Sequence, residues 1–73
     1  MSTGEFVWAT QLSLGTDLTP RSMAAALVRS ELYLFPEVVD VLPTDRADAV
    51  VIVHDGPARP AAWRAELEEA GII

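Results

Sequence analysis

Ala49-Val50-Val51-Ile52-Val53-His54 is the stretch on which the fold turns. Its consecutive β-branched residues, Val50 to Val53, favour an extended backbone over a helix. Turn-forming residues bound it, with Pro43-Thr44-Asp45-Arg46-Ala47 before it and Asp55-Gly56-Pro57 after it. An apolar run this short, and unbroken, is the pattern of a central strand buried on both faces.

Upstream, Glu37 to Leu42 reads as another strand, and the short connection between the two predicts an antiparallel hairpin. Further upstream, Thr19-Pro20 opens a helix, with Thr19 as N-cap and Pro20 at the first helical position. Leu18 and Met23 hold the spacing of a hydrophobic staple. Met23, Leu27, Ser30 and Leu34 form a stripe expected to face the core, flanked by Ala24, Ala26 and Val28. Pro36 stops the helix, leaving Leu32-Tyr33-Leu34-Phe35 as either a last turn or an extended lead into the next strand.

Glu5 to Leu14 alternates with period two. Phe6, Trp8, Thr10, Leu12 and Leu14 share the expected buried face, and Val7, Ala9, Gln11 and Ser13 share the other. Downstream, a second helix is expected from near Pro60, with Trp63, Leu67 and Ala70 inward and Gly71 placed to end it in a left-handed conformation.

The order is βαββα. A right-handed crossover makes the first two strands parallel, and the apolar third strand is expected between them. This α+β arrangement resembles a split-βαβ, ferredoxin-like unit whose fourth strand is missing or reduced to Ile72-Ile73. The expectation is a single domain over residues 1–73, with a three-stranded mixed sheet and two helices on one face.

No helix then remains for the opposite sheet face. The residues expected there as an interface are Val7, Ala9, Val38, Leu42, Val50 and Ile52, or alternatively Val39 and Val41 from the second strand and Val51 and Val53 from the third. An exposed valine-rich sheet calls for a covering surface: a symmetric homodimer is the commonest one, and the N-terminus or the Leu32–Phe35 segment folding across the face is the alternative.

Composition narrows the function classes. The chain is 51% hydrophobic, which argues against disorder, and carries a net charge of −6 with no lysine. Such a charge disfavours nucleic acid and anionic membrane surfaces as partners, and the five arginines are scattered. There is no cysteine, so disulfides and thiolate metal sites are excluded and a cytoplasmic location is expected. Neither a signal peptide nor a membrane span is expected.

His54, the sole histidine, sits at a strand end beside Asp55 and Gly56 and is the best single candidate for chemistry. It has no second histidine for a metal, and neighbouring strand residues point to opposite faces. Glu66, Glu68 and Glu69 read as a solvated helix face, not a cation site. Trp8 and Trp63 are expected in the core. The reading is therefore a non-enzymatic protein-interaction or assembly module that self-associates through its sheet, with no catalytic residue, metal or cofactor. The alternative is a small-molecule-binding regulatory domain with a pocket at His54-Asp55-Gly56.

Overall fold

A computed structural model describes residues 7–18 and 22–73 of the chain. The elements are β1 (Trp8–Ser13), α1 (Met23–Leu32), β2 (Val38–Pro43), β3 (Ala49–His54) and α2 (Pro60–Glu69), in the expected βαββα order. The sheet runs β1-β3-β2, with β3 antiparallel to both neighbours. The sheet is therefore antiparallel and not the mixed sheet expected: its two outer strands point the same way but are not neighbours, because β3 lies between them.

Both helices lie on one sheet face. Ala25, Val28 and Leu32 of α1 and Trp63 and Leu67 of α2 form one core with Leu12, Leu14, Leu18, Val38, Val41, Val50 and Ile52. Val38, Val50 and Ile52 thus belong to the core and not to the interface expected of them. The register explains why: Ile52 pairs with Thr10 and Val41, and Val50 with Leu12, all on the helix side. The outward pair of β3 is Val51 and Val53, both half-buried, so the apolar run is covered on one face and not two.

In α1 the inward stripe is Ala25, Val28 and Leu32, whereas Met23 is 76% exposed and Leu34 69%. The expected stripe of Met23, Leu27, Ser30 and Leu34 faces away from the core. The helix is apolar everywhere except Arg29, Ser30 and Glu31, so its period admits two stripes and packing selects between them. Its cap is Ser22, whose Oγ accepts from the Ala25 N–H at 3.0 Å. The expected Thr19 cap, Pro20 and Phe6 lie outside the described residues. With Leu18 buried and Met23 exposed, the proposed staple does not form. After Leu32 the chain makes a last turn, with the Leu34 and Phe35 N–H groups donating to Glu31 and Leu32 carbonyls.

Helix α2 ends as expected. Gly71 takes φ 77°, and the Gly71 and Ile72 N–H groups donate back to the Glu68 and Leu67 carbonyls. This pair of bonds is the Schellman arrangement, and only glycine adopts such a φ without steric cost. Ala70, expected inward, is exposed at this cap.

Candidate interaction surface

His54 has no exposed surface. Its ring meets Trp63 at 5.1 Å between centroids and Trp8 at 6.1 Å, both edge-on. Nδ1 lies 2.9 Å from the Gly56 carbonyl and Nε2 2.7 Å from Thr10 Oγ1. A carbonyl only accepts, so Nδ1 carries the proton. Nε2 and the Thr10 hydroxyl form the second hydrogen bond, so both nitrogens are satisfied. Trp63 is fully buried as expected, but Trp8 is 53% exposed, lying over the edge of His54 at the end of the sheet.

Beside this cluster, Glu37 fastens the start of β2 to α2. Trp63 Nε1 donates to its carboxylate at 2.9 Å, Arg59 Nη1 pairs with the same oxygen at 3.2 Å, and the Asp55 N–H donates to its carbonyl. Desolvation pushes the Glu37 carboxyl up. The Trp63 hydrogen bond, its backbone hydrogen bond and the nearby Arg59 and His54 outweigh this and hold it below the ordinary carboxylate value.

His54, Asp55 and Gly56 do not converge on a cavity. The ring is enclosed, Asp55 is exposed, and Gly56 gives its carbonyl to the ring. A recess of about 100 Å³ does open between α1 and the β2–β3 hairpin, floored by Leu18, Ala25, Val41 and Val50, but none of these three residues lines it. No group of three or more metal-ligating side chains occurs among the described residues, and no helix there is long and apolar enough to cross a membrane.

Among the described residues, nothing covers the far face of the sheet or its β1 edge. Val7, Ala9 and Leu42 are exposed, as expected of them, and Val51 and Val53 complete the face between them. Val39 is exposed where a bulge interrupts β2 between Val38 and Asp40.

The two edges differ. On β2 the Val41 N–H is already taken, by Asp40 Oδ1 at 2.8 Å and Tyr33 Oη at 3.3 Å, and Tyr33 itself donates to Asp40 at 2.7 Å. The bulge and Pro43 close this edge further. On β1 there is no proline and no charge, and its register against β3 is unbroken. This difference was legible only in part: Pro43 is visible in the sequence, but the Tyr33–Asp40 strap depends on how α1 ends.

No family model matches the chain, and neither a curated protein nor a solved structure matches it.

Proposed function

We propose that this chain is a non-enzymatic interaction module that assembles with itself through its β-sheet. The observation that carries this reading is the apolar face formed by Val7, Ala9, Leu42, Val51 and Val53, which no described residue covers, flanked by a β1 edge that no described strand pairs with. Sheet surface of this kind associates unless it is covered. The acidic net charge supports a protein partner over a nucleic acid. Light scattering after size exclusion across a dilution series tests the reading. An oligomer that dissociates on dilution is the expected result, and a monomer at high-micromolar concentration overturns it.

The small-molecule reading has less support. Its histidine ring is buried with both nitrogens engaged, and none of its three residues lines the recess beside α1.

A further inference from the structure

We infer that β1 pairs antiparallel with β1 of a second copy, about a two-fold axis at Gln11. The inference deepens the self-association reading and rests on it.

The Leu14 N–H donates to the Asp48 carbonyl at 2.8 Å, one residue beyond the Ser13–Ala49 pair. Amide direction alternates along a strand, so the even residues Trp8, Thr10 and Leu12 face β3. The N–H and C=O groups of Ala9, Gln11 and Ser13 therefore face the open edge. The one bond that reaches this edge among the described residues is from Arg64 Nη2 to the Ser13 carbonyl, whose second lone pair stays free.

Three outward-facing residues at alternate positions make a self-complementary set. Antiparallel pairing centred on Gln11 sets Gln11 against its own copy and Ala9 against Ser13 of the other chain. Each such pair exchanges both of its backbone bonds. The helices of the two copies then lie on one side of a continuous six-stranded sheet.

Charge favours a second copy at this strand. Each chain carries −6, yet Val7 through Thr16 contain no charged side chain. Pairing at β1 brings neutral backbone together and sets no carboxylate of that strand against another. The closed β2 edge opposes growth of the sheet from edge to edge. An isologous contact uses up the β1 edge of both copies, and the Tyr33–Asp40 strap occupies the Val41 N–H on the other. A six-residue strand is about 20 Å long. Its pairing alone covers less than the roughly 1,600 Å² of a standard interface, so the dimer is expected to dissociate on dilution.

The chain has no cysteine, so a single introduced thiol reports the axis directly. In a hydrogen-bonded antiparallel pair the Cα atoms are about 5.5 Å apart, within reach of a short thiol-specific cross-linker. Gln11→Cys treated with a short bis-maleimide is expected to give a covalent dimer at high-micromolar concentration, and Ser30→Cys, on the exposed side of α1, is not. Gln11→Pro removes an N–H that faces the edge and no bond to β3, so it should leave a folded chain by circular dichroism and shift the wild-type dimer to monomer. A dimeric wild type in which Gln11→Cys fails to cross-link and Gln11→Pro stays dimeric overturns the β1 pairing and leaves self-association standing. A wild-type monomer at the same concentration overturns both.

Discussion

A histidine wedged edge-on between two tryptophans is costly to place in a core unless both ring nitrogens find partners. Thr10 and Gly56 supply them, and neither partner was legible. Thr10 lies on another strand, and sequence places Gly56 only in a turn. His54→Ala leaves the Thr10 hydroxyl unpaired and a void against Trp63. It is expected to lower stability by about 2–4 kcal/mol, read from the urea midpoint. A change below about 0.5 kcal/mol would mean that the ring is not packed as described. Glu37 adds a pH dependence of definite sign. Its folded carboxyl titrates below its unfolded value of about 4.5, so its contribution is fully present above that value and is lost as pH falls through the folded one. Glu37→Gln is expected to lower stability at neutral pH and to flatten the acid limb of a stability–pH curve between pH 5 and lower values. An unchanged acid limb would show that the Trp63 and Arg59 contacts do not hold the ionised form.

At the scale of elements, legibility follows how much choice the local pattern leaves. Helix α2 left little, because Pro60 and Gly71 fit its two ends and Trp63 and Leu67 are its large apolar residues. Helix α1 left two apolar stripes, and only contact with the sheet selects Ala25, Val28 and Leu32. Variants separate the stripes. Leu32→Ala is expected to cost about 2–5 kcal/mol, and Met23→Ser less than about 0.5 kcal/mol. Comparable losses from the two in chemical denaturation would reverse the assignment. The α1–α2 contact holds one unfavourable arrangement. Desolvation and the neighbouring Glu31 and Glu69 carboxylates raise the Glu66 carboxyl above its ordinary value. A raised folded pKa means that ionisation opposes folding: the penalty grows as pH rises through the unfolded and then the folded value, and is complete at neutral pH. Glu66→Gln is therefore expected to stabilise the chain at pH 7, with the gain vanishing below about pH 4. A loss of stability at pH 7 would mean that the Glu66 carboxylate is favourably held.

For the whole molecule, strand order was legible because hairpin and crossover rules leave few topologies for βαββα. The outward face of β3 was not, since Val50 to Val53 are alike and only the register against Leu12 and Val41 distinguishes them. The resulting body has an acidic net charge, a core served by two helices on one side, and valines on the other. A domain of this size hides only about 60% of the surface its unfolded chain exposes, so apolar surface left open here is a large share of what folding has to work with. Association then adds to stability by mass action, since a second copy binds the folded state and not the unfolded one. The melting temperature is expected to rise with protein concentration and to lose that dependence in Gln11→Pro. Calorimetry at low- and high-micromolar concentrations measures it. A melting temperature indifferent to concentration in the wild type would mean that the two helices suffice to hold the sheet alone.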